Sequence, residues 1–187
     1  MDVSRTLRRN RHAGIAAVAM LLTIGCSRGS PEPGALLAAV GEQDVVRVAA
    51  LLAAGADPDE RSPEGVTPLH RAAATGNLAL VDLLLARHAS VDAECESEGT
   101  PLLVAVRERR VEVVARLLEA DADANVLHDG IAPLHLAAIQ QDVDIARLLL
   151  AAEADVDATS EDGTTALTFA QGNARLVGLL RAHGARR

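Results

Sequence analysis

The chain has 187 residues and a net charge of −8, and 49 % of its residues are hydrophobic, which suits one domain or a short repeat array. Its single aromatic residue, Phe169, and its negative charge argue against nucleic-acid binding, which uses aromatic stacking and basic contacts to phosphate. Two cysteines exclude a disulfide-rich scaffold, and a core of Ala, Leu and Val favours stacked helices over sandwiches or barrels.

The N-terminal segment has the composition of an export signal. Four arginines between residues 5 and 11 precede a mainly apolar stretch, residues 13–25, that holds no charged residue. That stretch is shorter than the roughly 20 residues that a helix needs to span a bilayer. An ordinary secretory signal, an uncleaved anchor and twin-arginine export through Arg8 and Arg9 are the alternatives that this pattern leaves open.

The apolar stretch ends in Leu22-Thr23-Ile24-Gly25-Cys26. This resembles the lipobox of bacterial lipoproteins, in which the cysteine is lipidated and becomes the first residue of the mature protein, although Thr23 stands where leucine is usual. The resemblance implies a signal peptide over 1–25, a lipid on Cys26 and a tether over 26–33. It also implies a periplasm-facing location in the cell envelope, and Ser27, in place of an inner-membrane retention aspartate, favours the outer membrane.

The rest of the chain repeats one motif at steps of 32 or 33 residues. Its clearest copy is Thr67-Pro68-Leu69-His70, and related tetrapeptides begin at residues 34, 100, 132 and 165. A leucine pair follows seventeen residues after each of the first four starts, and then a loop with the pattern Ala-Asp/Ser-x-Asp/Asn. Threonine before proline predicts a helix N-terminus, because the hydroxyl caps the helix and proline fits its first position.

Period, helix-start motif, leucine pair and loop motif agree in register, and together they resemble the ankyrin repeat over residues 34–187. The resemblance implies an all-α solenoid of five stacked helix-turn-helix units with projecting β-hairpin fingers, in which neighbouring units supply each other's core. We number the fingers 1 (56–65), 2 (89–99), 3 (122–130) and 4 (154–163). Asp-Gly pairs at 129–130 and 162–163 predict tight turns at the tips of fingers 3 and 4.

One departure from the family pattern predicts local strain. After the leucine pair the family favours glycine, which ends a helix in the left-handed conformation. Gly55 and Gly184 keep this glycine, whereas His88, Asp121 and Glu153 replace it. A side chain in that conformation costs roughly 1 kcal/mol. We therefore predict that the middle of the array is less stable than an idealised array.

The fingers concentrate negative charge. They hold fourteen of the 26 acidic residues of the chain and a single arginine, Arg61. One interpretation is that these loops are simply solvated. The other is that an acidic rim steers a basic partner toward the concave face of the solenoid.

No combination of residues predicts catalysis, a metal site or a cofactor. His70 and His135 lie 65 residues apart without the Cys/His spacing of a zinc site, and in the family this histidine makes structural hydrogen bonds. Nucleophile-elbow and phosphate-loop motifs are absent from the sequence. Once Cys26 carries a lipid, Cys95 has no partner within the chain, and we expect an exposed or half-buried thiol. The chain is therefore predicted not to be an enzyme.

The resemblance also implies a binding surface, made of the finger tips and the exposed positions of the first helices. Val66, Ile131 and Ile139 are predicted to be apolar anchors in acidic surroundings, as in protein-binding hot spots. The candidate partner-binding residues are Glu64, Val66, Thr75, Glu96, Arg107, Glu108, His128, Asp129, Ile131, Ile139, Gln140, Glu161 and Asp162. Arg107, with Arg109 and Arg110, is either a basic recognition element or surface variation.

The sequence therefore predicts a monomeric protein-binding module that takes a protein partner with a basic patch. It touches the membrane only through its N-terminal lipid, and it needs no cofactor. Two narrower functions stay open: an immunity-type inhibitor of a toxin or enzyme that acts in the periplasm, or an accessory protein that supports a periplasmic enzyme. The identity of the partner separates these two functions.

Overall fold

The structure, a computed structural model, describes residues 31–186, which belong to one compact unit. The predicted signal peptide and Cys26 lie outside the described residues. The described part forms ten helices: α1 (Ala35–Gly41), α2 (Val45–Ala53), α3 (Pro68–Thr75), α4 (Leu78–Leu85), α5 (Pro101–Arg107), α6 (Val111–Leu118), α7 (Pro133–Ile139), α8 (Val143–Ala151), α9 (Ala166–Phe169) and α10 (Ala174–Ala182). Within residues 31–186, none of them has the length and apolar run that a membrane crossing requires.

The helices alternate between two layers. The first helix of each pair (α1, α3, α5, α7, α9) packs on the first helix of the next pair, and the second helices (α2, α4, α6, α8, α10) pack on each other in the same order. Loops of two to four residues join the helices of a pair, and the fingers join successive pairs. This arrangement is the all-α solenoid that the repeat pattern predicted.

Small and aliphatic side chains fill the space between the layers. Of the twelve largest fully buried side chains, eleven are leucines and one is Ile145. On α3 and α7, Ala72, Ala73, Ala137 and Ala138 have no exposed surface. Their small side chains allow the first helices to approach closely, as the sequence predicted.

Two predicted threonine caps act differently. At the start of α5, the Thr100 hydroxyl accepts the backbone N–H of Leu103 at 3.5 Å, as in an ordinary N-cap. At the start of α3, the N–H and the hydroxyl of Thr67 both lie against Nδ1 of His70, at 3.3 and 2.8 Å. The cap of α3 therefore works through the histidine of the motif rather than through the threonine alone.

Helix α1 has no threonine at its N-terminus, and a finger residue caps it instead. Gly34 precedes α1 and has no side chain that can cap it. Instead, the Glu60 carboxylate of finger 1 accepts the backbone N–H of Leu37 at 2.6 Å and that of Gly34 at 3.2 Å. Negative charge at a helix N-terminus also interacts favourably with the helix dipole. The first helix pair therefore depends on the finger that follows it.

We expect Glu60→Ala to loosen α1 while leaving the rest of the array folded. Loss of two charge-assisted hydrogen bonds at a partly exposed site costs about 1 to 2 kcal/mol. Hydrogen exchange at the Leu37 amide, which Glu60 binds, should accelerate at least several-fold. The matched control is Glu64→Ala in the same finger. Equal protection of the Leu37 amide in Glu60→Ala and in the wild type would contradict this role of Glu60.

The predicted left-handed residues are confirmed. His88, Asp121 and Glu153 have φ angles of 62°, 64° and 61° within three residues of the ends of α4, α6 and α8. The structure adds a second set in the loops inside helix pairs, namely Gln43, Arg109 and Gln141 at φ 57°, 56° and 60°. With Asp129 in finger 3, seven non-glycine residues of the described part therefore stand in a conformation that favours glycine.

The fingers are tight turns with very little strand. Asp129 and Gly130 both have positive φ, 50° and 68°, as a type I′ turn requires, and the flanking His128 and Ile131 exchange two backbone hydrogen bonds. Gly163, at φ 77°, donates to the Ser160 carbonyl at 2.9 Å. Both predicted turns are confirmed. The hairpins are short: fingers 2, 3 and 4 each close with one isolated antiparallel bridge, because few residues separate the paired positions.

Candidate protein-binding surface

The loop motif joins each finger to the next segment of backbone. Its last residue has a side-chain oxygen that accepts a backbone N–H about 30 residues further on. In each bond the backbone N–H of the later residue donates to the side-chain oxygen of the earlier one. The pairs are Ser90 to Asp59 (2.8 Å), Asp123 to Asp92 (3.0 Å), Asp155 to Asn125 (2.7 Å) and Arg186 to Asp157 (3.2 Å). We call this series the acceptor ladder. Asp57, Asp123 and Asp155 also close their own loops by accepting the N–H two residues on.

Nine of the fourteen finger acids therefore hold backbone or turn groups. Six belong to the acceptor ladder and its loops, Glu60 caps α1, and Asp162 accepts the Ser160 hydroxyl at 2.6 Å and the Thr164 N–H at 3.1 Å. Those bonds, with the Ser160 hydroxyl first, keep the pKa of Asp162 below its usual value. Glu64 accepts the Ser62 hydroxyl of its own finger. The other five are Glu94, Glu96, Glu98, Asp129 and Glu161. Fewer carboxylates of the acidic rim are thus left for a partner than the sequence predicted.

Fingers 1, 2 and 3 enclose a cleft of about 580 Å³, which we call the finger cleft. Among its lining residues are three of the predicted ones, Glu64, Glu96 and His128. Leu127, which is not among the residues predicted from the sequence, also lies in the lining, with 59 % of its surface exposed. An alignment of the fingers on their first alanine places Leu127 opposite Arg61 and Glu94. A leucine where two other fingers carry a charge is the signal that identifies it.

A smaller cleft, of about 210 Å³, brings three other predicted residues together with His128. Arg107, His128, Asp129 and Ile131 line it beside the first helices α5 and α7. The Arg107 guanidinium donates to the Glu98 carbonyl at 2.7 Å, which ties the end of α5 to finger 2. The two clefts share His128 and are adjacent parts of one surface.

The remaining predicted residues differ in exposure. Ile139 is 48 % exposed, whereas Val66 and Ile131 are half-buried, so only Ile139 is freely accessible among the three apolar anchors. The Thr75 hydroxyl donates to a carbonyl of its own helix at 3.1 Å, and the Gln140 amide donates to the last carbonyl of α5 at 2.8 Å. Three further predicted partner-binding residues are exposed, namely Glu108, Glu161 and Asp162. Their role in binding stays a prediction.

Two of the three clustered arginines bind neighbouring repeats. Arg109 forms an ion pair with the nearly buried Asp142 at 3.1 Å, and Asp142 in turn caps α8. Arg110 stands at the N-cap of α6, where its side chain makes no cap bond, and its Nε donates to the Ala74 carbonyl at 3.0 Å. These contacts favour a structural role for both residues.

The motif histidines connect helix starts to fingers, as the family resemblance implied. Nε2 of the fully buried His70 donates to the Gly99 carbonyl at 2.9 Å. In the same way, His135 accepts the Ala132 N–H at 3.1 Å and donates to the Ala158 carbonyl at 2.9 Å. Burial lowers the pKa of His70, because the charged ring would lose its hydration.

The expectation of an accessible Cys95 thiol is wrong. Cys95 is only 3 % exposed, and its Sγ donates to the Glu64 carbonyl at 3.2 Å. Its bridge to Gly99 places the side chain beneath finger 1, so the neighbouring finger covers the thiol. Over residues 31–186, no three His, Cys, Asp or Glu side chains meet as a metal site would require.

A family model described as ankyrin repeats (3 copies) matches residues 35–128 and 120–186, which is most of the chain. The chain belongs to the ankyrin-repeat family. Ankyrin repeats mediate protein–protein interactions and are generally not catalytic. The shared motif therefore supports a binding surface on the fingers and the first helices rather than an active site.

Curated ankyrin proteins resemble the chain over part of their length. Ankyrin repeat and SOCS box protein 5 of Mus musculus is 34 % identical over 119 residues, which is 64 % of this chain and 36 % of that protein. Ankyrin repeat and SOCS box protein 11 of Homo sapiens is 35 % identical over 104 residues, 56 % of this chain and 32 % of the relative. The Nuclear factor NF-kappa-B p105 subunit of Gallus gallus is 36 % identical over 144 residues, which is 72 % of this chain and 14 % of that protein. The similarity thus covers about a third or less of these relatives.

Proposed function

We propose that this ankyrin-repeat chain is a non-enzymatic module that binds a protein partner on its finger tips and first helices. The observation that carries this proposal is the combination of exposed apolar side chains with exposed acids that form no ion pair within residues 31–186. Leu127 is 59 % exposed in the cleft that Glu64, Glu94 and Glu96 also line, and Ile139 is 48 % exposed at the end of α7. Apolar residues surrounded by polar ones are typical of protein-binding hot spots.

The proposal includes five repeats and a place in the bacterial cell envelope. The lipobox resemblance supports cleavage after residue 25 and a lipid on Cys26. Residues 27–33 would then tether the repeats, and when fully extended they reach about 23 Å. The module would therefore meet its partner close to the membrane surface.

Site-specific crosslinking of the full-length chain in bacterial cells tests this function. A photoreactive residue replaces Ile139 on the proposed surface or Val46 on the second helix α2. Both positions expose a large apolar side chain, 48 % and 66 %, which makes Val46 the matched control. A Cys26→Ser variant is fractionated in parallel.

We expect a discrete protein adduct from position 139 and none from position 46. Crosslinking from position 46 alone, or equally from both, would place the partner elsewhere. We also expect Cys26→Ser to move the protein from the membrane fraction to the soluble fraction. Unchanged membrane association of Cys26→Ser would contradict the lipid anchor but would not contradict the proposed binding function. The identity of the adduct separates an inhibitor of a toxin from a helper of a resident enzyme.

A further inference from the structure

The finger cleft has the size of a site for a few side chains. Its volume of about 580 Å³ lies in the range of clefts that enclose small ligands. Three fingers contribute its walls, so its shape depends on their stacking. The acceptor ladder holds these fingers in place through backbone hydrogen bonds at Ser90 and Asp123. The cleft is therefore a preorganised surface rather than a loose group of loops.

The charge balance of the finger cleft is negative. Glu64, Glu94 and Glu96 are exposed in its lining, and none of them forms an ion pair within the described part of the chain. Arg61, the single finger arginine, donates to the carbonyls of Glu94 at 2.8 Å and Gly65 at 3.3 Å. Arg61 thus bonds two carbonyls and forms no ion pair with the three carboxylates. The Ser62 hydroxyl keeps the pKa of Glu64 low, so this carboxyl stays ionised.

Part of the lining is apolar. Leu127 and Pro63 are exposed there, and Val126 is half-buried beside Leu127. An exposed leucine at the mouth of a cleft can bury its surface only against a second molecule, at about 25 cal/mol per Å² of apolar area. The finger cleft thus offers apolar contact and negative charge within the reach of one short segment.

We propose that the finger cleft binds a segment of the partner protein in which a lysine or arginine adjoins a bulky apolar residue. This inference rests on the proposed binding function and names the chemistry that the partner presents. The basic side chain meets the carboxylates of Glu64, Glu94 and Glu96, and the apolar one packs on Leu127 and Pro63. Charge complementarity selects such a segment, since an acidic one would bring like charges together.

Selection of random dodecapeptides displayed on phage tests the proposal, with the purified full-length chain as the target. Selected peptides are synthesised, and their dissociation constants are measured by fluorescence anisotropy. Two variants remove the proposed contacts: Glu94→Gln with Glu96→Gln, and Leu127→Ser. The matched control, Glu112→Gln with Glu153→Gln, removes the same amount of charge from exposed positions outside the fingers.

We expect enrichment of peptides in which arginine or lysine stands next to a large apolar residue. Each cleft variant should weaken their binding at least about tenfold, and the control should bind like the wild type. Enrichment of acidic or uncharged peptides, equal binding by the cleft variants, or no enrichment would overturn the proposal. A crosslinked partner at Ile139 together with any of these results would leave the proposed function standing, so the two failures are distinguishable.

Discussion

Replacement of His70 by leucine is expected to lower the free energy of unfolding by about 2 to 4 kcal/mol. The ring is fully buried and bonds the Gly99 carbonyl on one side and Thr67 on the other. Leucine fills much of the space but leaves the Thr67 N–H and hydroxyl without their partner, at about 1 to 3 kcal/mol each, whereas the Gly99 carbonyl keeps the Cys95 N–H at 2.8 Å. Urea denaturation followed by circular dichroism measures the loss. The exposed neighbour provides the control, since Arg71→Leu should change stability by less than about 0.5 kcal/mol.

The same substitution has a pH signature. Burial lowers the pKa of His70 in the folded chain, whereas in the unfolded chain it stays near the usual value of about 6.5. As the pH falls below that value, the unfolded chain takes up a proton that folded His70 resists, and the wild type loses stability. His70→Leu has no imidazole at this position and therefore lacks this pH-dependent loss of stability. The stability gap between the two proteins should therefore narrow from pH 7 to pH 5, and a constant or wider gap would contradict the role of burial.

The triple substitution His88→Gly, Asp121→Gly and Glu153→Gly should raise the free energy of unfolding by about 1.5 to 3 kcal/mol. Each residue has φ between 61° and 64°, where a side chain costs roughly 1 kcal/mol and glycine costs nothing. The greater freedom of glycine in the unfolded chain offsets part of the gain. Glu153 contributes most, because histidine and aspartate tolerate positive φ better than glutamate does. Thermal unfolding should show a Tm about 5 to 10 °C higher.

A neighbouring glycine substitution isolates the conformational cause. Ala152 lies directly before Glu153 with φ −95°, where glycine brings no relief of strain. Ala152→Gly should therefore lower the Tm while Glu153→Gly raises it. A parallel fall in both variants would show that the left-handed conformation is not the source of the lost stability.

The fold was predictable because its signals are local and recur in register. The Thr-Pro helix starts, the leucine pairs and the Asp-Gly turn at 129–130 each follow from chemistry within a few residues, and the repeat period multiplies the evidence. The positive φ of His88 followed in the same way, from one glycine position that holds another residue.

The binding surface was harder to predict because its properties depend on stacking. The bond from Ser90 to Asp59 joins residues 31 positions apart, so the sequence alone did not separate structural acids from free ones. Cys95 is buried because the preceding finger covers it, whereas Leu127 of finger 3 is 59 % exposed. Such differences arise between copies of the repeat rather than within one copy.

The acceptor ladder also determines which residues are free to vary. Each rung pairs a side-chain oxygen with a main-chain amide, and the residues that donate these amides are a serine, an arginine and two aspartates: Ser90, Arg186, Asp123 and Asp155. A main-chain amide is present whatever side chain stands at the donor position, with proline as the single exception. Ser90 and Arg186 can therefore change their side chains without loss of their rungs, whereas Asp123 and Asp155 also close their own loops through their side chains. New recognition surfaces can arise at such positions on an unchanged scaffold.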